Sequence, residues 1–375
     1  MSILKPLLKY PGGKSSELKS IIFNLPNKID NYIEPFLGGG AVYLGISANE
    51  YYVNDISEEL MLLYRYVKNQ DGLFFSELEM IDKNWNQLRE IAKQYLSYFY
   101  DLFINYRESK INQYEVDKDV HKFVKNLNGE LNRPLFAFEG IDSEIFKDQL
   151  RRNLFDKIKR IKKNEVKNQK VLDEFDFFDN LETAFKSAYY MHFRDLYNSA
   201  KKTNISPQRR VAIFFFVREY CFSSMFRFNR KGEFNVPYGG ISYNKKSMSM
   251  KIKYFKSKDL ISKLTKTTLY TLDFKEFFNS ITLSENDFIF LDPPYDTVFS
   301  EYDQNEFNQN DQVRLADYLL NECVCKFILV IKKTDFISGL YKNKGLNIIE
   351  IEKNYSVSFR NRNKRQVTHL MIKNY

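Results

Sequence analysis

Asn31-Tyr32-Ile33-Glu34-Pro35-Phe36-Leu37-Gly38-Gly39-Gly40, then helix-forming residues, then Tyr51-Tyr52-Val53-Asn54-Asp55, is the stretch that decides the fold. A strand entering a glycine turn, a helix and a second short strand make a βαβ unit, and such units build parallel sheets. The alternation returns after Ser262: Leu269–Leu272, Phe288–Leu291, Lys326–Ile331 and Leu346–Ile351 read as strands, with a helical stretch at Gln312–Asn321. Residues 1–67 and 251–375 are therefore expected to form one α/β domain in two parts. Residues 68–250 differ in texture. Asn84–Tyr106 and Leu181–Lys202 read as helices, and Arg151–Lys163 is a basic run suited either to a phosphate backbone or to a solvated helix face. The expectation is an α/β, Rossmann-like sheet with helices on both faces and a mainly helical insertion.

The chain has 375 residues, enough for a large core and two domains. Lys and Arg number 57 against 48 Asp and Glu, a net charge of +9 that favours a polyanionic partner. An abundance of Lys, Asn, Ile, Phe and Tyr would also raise the pI without any such partner. Cys221, Cys323 and Cys325 have neither disulfide-framework nor metal-ligand spacing, so a reducing cytosol and no metal are expected, with Cys323 and Cys325 alternating in a strand-like run. His121, His192 and His369 are widely separated and read as incidental. No apolar run reaches the ~18 residues of a membrane span, so a soluble, unprocessed, cytoplasmic protein is expected.

The chemistry gathers in four places. Asp292-Pro293-Pro294-Tyr295 follows the apolar run Phe288–Leu291. Two prolines stop the strand and withhold two N–H groups, leaving carbonyls, a carboxylate and a phenol ring at a strand end. Such a corner suits a planar substrate whose exocyclic amine donates to Asp292 and a carbonyl while Tyr295 stacks on the ring. The turn Gly38-Gly39-Gly40 allows close backbone approach but is not a GxGxxG fingerprint, so a nucleoside cofactor without phosphates fits as well as one with them. Asp55 ends the next strand, where an α/β nucleotide site keeps a carboxylate for ribose hydroxyls. Upstream, Lys9-Tyr10-Pro11-Gly12-Gly13-Lys14 supplies cations, an aromatic face and glycines, although alone it reads as an ordinary loop. Finally, Met225–Gly239 reads as two alternating segments about a Lys231-Gly232 turn, a β-ribbon that could present Arg227 to a major groove or remain a plain surface hairpin.

Taken in order, Lys9-Tyr10-x-Gly12-Gly13-Lys14, Glu34–Gly40, Asn54-Asp55, Met225–Gly239 and Asp292–Tyr295 strongly resemble the Dam-like (D12 class, alpha group) family of DNA adenine-N6 methyltransferases. The resemblance implies that Tyr10, Lys14, Asp55 and Asp292 contact S-adenosylmethionine and that Glu34, Phe36 and Gly38 to Gly40 form its glycine turn. Asp273 and Phe274 resemble a further acidic-aromatic step near the cofactor's adenine. The resemblance makes Asp292, Pro293, Pro294 and Tyr295 catalytic and the insertion a target-recognition domain carrying a DNA-reading hairpin at about 225–239. Lys9 and Arg227 match guanine contacts in relatives that read GATC, Met225 and Pro237 match apolar positions beside the target thymine, and Asn229 and Asn235 lie in the same stretch. Tyr10 stands where several relatives have Trp. The segment from Asn69 to about Asn204 is longer than in compact members.

The implied function is transfer of a methyl group to an adenine flipped out of double-stranded DNA, giving S-adenosylhomocysteine, with GATC as first choice of site. The setting would be a restriction-modification system, with a cognate endonuclease acting separately, or an orphan or phage methylase. Rival readings are an RNA adenine or protein methyltransferase on the same fold and a non-catalytic DNA-binding relative.

Overall fold

The computed structural model describes residues 4–10, 12–127, 143–200, 205–295, 307–354 and 366–375; Pro11 of the upstream motif lies outside them. The residues group into two units: Met1–Gln70 with Phe226–Gly232 and Phe255–Tyr375, and Asp71–Met225 with Glu233–Tyr254.

In chain order the first unit begins with a 3-10 turn, Lys14–Ser16, and α1 (Leu18–Phe23), β1 (Asn31–Glu34), α2 (Ala41–Gly45), β2 (Glu50–Asn54) and α3 (Glu58–Lys68). The second unit supplies α4 (Gly72–Gln94), α5 (Leu96–Arg107), α6 (Gln113–Asn126), α7 (Ser143–Asn168), α8 (Glu174–Ser199) and α9 (Pro207–Tyr220); α10 (Ser249–Phe255) ends it. The first unit resumes with α11 (Lys258–Thr265), β3 (Thr267–Tyr270), α12 (Phe274–Asn279), β4 (Phe288–Leu291), α13 (Gln309–Asn321), β5 (Lys326–Lys332), α14 (Asp335–Tyr341), β6 (Asn347–Asn354) and β7 (Gln366–Lys373).

The sheet has the order β3-β2-β1-β4-β5-β7-β6. Its first five strands are parallel, with Glu34 beside Val53 and Ile33 beside Ile289. β7 runs antiparallel between β5 and β6. This last strand is absent from the sequence reading, and the sheet is mixed where continuous parallel pairing was expected. The apolar run of β5 suits a central strand buried on both faces. Ile33, Ile289, Leu291 and Leu329 face α12, α13 and α14 through Phe277, Leu315 and Ile337, in one core cluster. The alternate residue Tyr32 packs on Phe288 and on the Tyr43 ring of α2, so helices cover both faces. Cys323 and Cys325 stand before β5 rather than within a strand, their thiols 3.8 Å apart.

The second unit is helical, and its core is aromatic: Trp85 meets Tyr220 at 4.5 Å and Phe216 at 5.5 Å. Its basic run lies on α7. Arg151 pairs with Asp117 at 2.6 Å, Arg152 with Asp148 at 3.3 Å, Lys159 lies over the Phe155 ring, and Lys162 donates to the Tyr106 carbonyl. Burial pushes Lys157 down to about 8, with neighbouring Arg160 adding to the shift. These contacts fit a helix face whose cations serve the fold better than they fit a phosphate track.

Candidate functional site

β1 is the strand from which the chain departs in both directions: β2 and β3 lie on one side and β4 and β5 on the other. In open α/β sheets this switch point opens a crevice at the carboxyl ends of the strands. Glu34, Asp55, Asp273 and Asp292 are the residues that end or follow β1, β2, β3 and β4 there. Parallel pairing thus brings together carboxylates that the sequence separates by more than two hundred positions.

The glycine turn after β1 is built against the upstream motif. Gly38 and Gly40 have φ of +49° and +70°, which favours glycine over residues with a side chain. A Cβ on Gly39 would stand 2.9 Å from the Leu8 carbonyl oxygen, and one on Gly38 would stand 3.3 Å from the Tyr10 ring. The glycines are therefore demanded by the chain's own packing, with Leu8 and Tyr10 laid on the turn. Asp55 holds the same turn, accepting from the Gly38 N–H at 2.8 Å and the Ser57 N–H at 3.0 Å. Asn54 links three loops: its amide donates to the carbonyls of Pro35 and Leu272, and its oxygen accepts from the Leu272 N–H.

Glu34 is buried, accepting from the Tyr32 hydroxyl at 2.8 Å and the Tyr43 N–H at 3.1 Å. Burial pushes its carboxyl well above the ordinary range, the charges of Asp292 and Asp55 push the same way, and the two hydrogen bonds oppose. Burial likewise raises Asp55, against its two backbone bonds. Carboxylate charge in this crevice thus needs an offsetting partner.

Lys14 answers the same need at Asp292. Its ammonium is buried and donates to Asp292 Oδ1, to the Gly12 carbonyl at 3.1 Å and to the Tyr295 hydroxyl at 3.4 Å. A buried ammonium requires such acceptors, and in return it fixes the carboxylate. Gln312 of α13 donates to the Pro294 carbonyl at 2.7 Å, and the Tyr295 ring meets the buried His369 edge-on. Neither Gln312 nor His369 was singled out for the site from the sequence, because only the packing of α13 and β7 brings them to the tetrapeptide.

Other expected residues have structural duties. Asp273 caps α12 through the Lys275 N–H and pairs with Arg314 at 2.7 Å. Phe274 is buried against Phe36 and Phe307, with the Arg314 guanidinium over its ring. Lys9 is exposed and Tyr10 half-buried, the latter 6.0 Å from the ring of Phe226. Over 225–239 the alternation places Phe226, Phe234, Val236 and Tyr238 inside; Arg227 and Pro237 are exposed, and Met225, Asn229 and Asn235 half-buried. The expected ribbon is built of isolated bridges rather than long strands: Phe228 and Phe234 are bridge residues, Cys221 pairs with Tyr238 at the base, and the turn closes by the Gly232 N–H on the Asn229 carbonyl.

Among the described residues no His, Cys, Asp and Glu cluster is placed to hold a metal, and no helix is long and apolar enough to cross a membrane. Residues 10–139 and 150–357 match the family described as D12 class N6 adenine-specific DNA methyltransferase. The chain is 26% identical to the type II methyltransferase M.MjaIII of Methanocaldococcus jannaschii, over 99% of each chain. It is 25% identical to the type II methyltransferase M.CviBI of Paramecium bursaria Chlorella virus NC1A, over 99% of this chain and 100% of that one. To the DNA adenine methylase of Haemophilus influenzae it is 23% identical, over 94% and 88%. A match of this extent, on a sheet whose switch point gathers the family's motifs, makes the chain a member of the D12 class of N6 adenine-specific DNA methyltransferases, enzymes that take their methyl group from S-adenosylmethionine.

Proposed function

We propose that the protein methylates N6 of an adenine extruded from a short duplex site into the corner formed by Asp292, Pro293, Pro294 and Tyr295. The observation that carries the reading is the Lys14–Asp292 pair at the carboxyl end of β4, beside the glycine turn and the carboxylates Glu34 and Asp55. Glu34, Phe36, Gly38, Gly40 and Asp55 would hold S-adenosylmethionine with Tyr10. Asp55 suits its ribose hydroxyls, and the fit needs no phosphate cradle. When bound, the cofactor supplies an electrophilic methyl group.

An adenine amine is a poor nucleophile because its lone pair is delocalised into the ring. Asp292 and the Pro293 carbonyl accept its two N–H bonds and draw the nitrogen towards tetrahedral geometry, freeing the lone pair. Lys14 contributes by holding the Asp292 carboxylate still, and Gln312 by holding the Pro294 carbonyl. Fixed acceptors aimed at charge developing on nitrogen cost no reorganisation as the bond forms. S-adenosylmethionine held there would supply the methyl group and leave as S-adenosylhomocysteine, while Asp292 and the Pro293 carbonyl would hold the amino nitrogen that accepts it and afterwards releases a proton to solvent. Alignment of two bound reactants supplies ~7 kcal/mol or more. Extrusion costs a few kcal/mol, offset by stacking on Tyr295.

Target reading falls to Arg227, Asn229, Asn235, Met225 and Pro237 on the outward phase of 225–239, with Lys9 at the upstream motif. GATC is the first candidate, because Lys9 and Arg227 match guanine readers. The type II names of the two near-full-length relatives support a restriction-modification setting in the cytoplasm, with a separate cognate endonuclease. Expression in a methylation-free host, with modified bases mapped by single-molecule sequencing, tests the reading. The expected result is N6-methyladenine in one short motif, lost with Asp292→Ala. Unmodified DNA from an active, soluble preparation, or adenines modified without motif, would sink it.

A further inference from the structure

Two-stranded ribbons are marginal on their own, and every buried backbone N–H and C=O needs a partner. The stretch around Arg227 carries isolated bridges at Phe228 and Phe234 rather than long strands, and its flanks are held by side chains as well. On the far flank, the Asn198 side chain of α8 donates from Nδ2 to the Phe234 carbonyl at 3.0 Å and accepts at Oδ1 from the Phe234 N–H at 2.8 Å. One amide thus offers Phe234 the donor and acceptor that a neighbouring strand would offer. About two turns earlier on the same helix, the buried Tyr190 hydroxyl donates to the Val236 carbonyl at 2.9 Å. On the near flank, Arg218 of α9 is buried and donates from Nη1 to the Met225 carbonyl at 3.1 Å, and the Cys221 thiol donates to the same oxygen at 3.3 Å. Between them Ser223 and Ser224 have φ of 54° and 51°, a conformation that side-chain-bearing residues adopt at a cost. Two backbone bonds close the base, from the Phe222 N–H to the Pro237 carbonyl and from the Gly239 N–H to the Tyr220 carbonyl.

We propose that Asn198 and Arg218 are positioning residues for target recognition, bracing a short ribbon by clamping Phe234 and Met225 on either side of Phe226–Gly232. The inference rests on the reading of that stretch as the base-reading segment. Clamped flanks deliver Arg227, Asn235 and Pro237 with less ordering cost at the encounter, and that saving is realised only where the base edges match. Both residues act on discrimination between sites and leave cofactor binding alone.

The test takes the full-length enzyme and its mapped site, beside a duplex with one base pair of that site changed, and compares kcat/KM on the two. Asn198→Ala is expected to lower the ratio on the order of tenfold, the net size of the two part-buried hydrogen bonds it removes. S-adenosylmethionine affinity by calorimetry is expected to stay unchanged while hydrogen exchange at the Phe234 amide speeds up. Asn198→Asp keeps the acceptor for that amide but turns a second acceptor on the Phe234 carbonyl, so a loss of discrimination is expected here too, and it serves if the alanine variant folds poorly. An unchanged ratio despite faster exchange, or equal loss on both duplexes, overturns the inference. Arg227→Ala run alongside separates the two layers. If it lowers discrimination and Asn198→Ala does not, only the positioning role falls; if Arg227→Ala leaves discrimination intact, the reading beneath it falls as well.

Discussion

At the carboxyl ends of β1, β2 and β4, Glu34, Asp55 and Asp292 stand where paired strands put them; over Met225 and Phe234–Tyr238 side chains of α8 and α9 brace the backbone. The first arrangement is costly to move, since a shift of one strand would break a whole ladder and turn every side chain to the opposite face. The second is changed by one substitution at Asn198 or Arg218. A methyltransferase needs this contrast. In the function proposed here the chemistry is the same at every adenine and sits on the rigid sheet, whereas the sequence to be read is open to revision and sits on a segment whose supports are individually replaceable.

The largest effect that would break the contrast is at Asp292. Asp292→Ala should reduce methyl transfer by at least ~10²-fold with DNA affinity largely retained, as seen by radiolabelled methyl incorporation and fluorescence anisotropy. Near-normal turnover would remove the corner's catalytic role. Lys14→Met comes next: it leaves a half-buried carboxylate without its buried cation and should cost about 3 kcal/mol in denaturant stability along with a lower kcat. A variant as stable and active as the parent would mean that the pair is ornamental.

Arg227→Ala probes the other side of the comparison. It should cost about 1–3 kcal/mol of discrimination at a single base pair, read from kcat/KM on matched and mismatched duplexes. An equal loss on every duplex would instead make Arg227 a phosphate contact. The smallest effect expected is at Glu34. Its carboxyl is raised chiefly by burial, so its contribution to stability is present below the unfolded value and is lost as pH rises through the folded one. Glu34→Gln keeps an acceptor for the Tyr32 hydroxyl and the Tyr43 N–H without the buried charge. The Tm of the variant should therefore gain on that of the parent with rising pH, by a few degrees at most. A constant gap across pH would show that Glu34 keeps one charge state throughout.

Much of the sheet was legible because its signals are local. The glycine turn, the strand that ends at Asn54 and the proline stop after Leu291 each depend on neighbours in the chain, and all three stand where the reading put them. Antiparallel β7 was missed because its pairing with β5 and β6 has no short-range mark. Lys14 was read as a cofactor contact from its motif, and the structure gives its ammonium to Asp292, Gly12 and Tyr295. The alternation over 225–239 separated inward from outward residues and suggested a β-ribbon, which the structure keeps as isolated bridges and braces with side chains of α8 and α9.

The order of motifs and the residue types at each were written in the sequence alone, since turn chemistry and strand periodicity are local, and the family was legible there as a resemblance carried by those motifs. The meeting of Lys14 with Asp292, the hold of Gln312 on Pro294 and the grip of Asn198 on Phe234 were decided only in three dimensions. Each joins residues from separate elements, and contacts of that kind are chosen by how helices and strands pack rather than by anything adjacent in the chain.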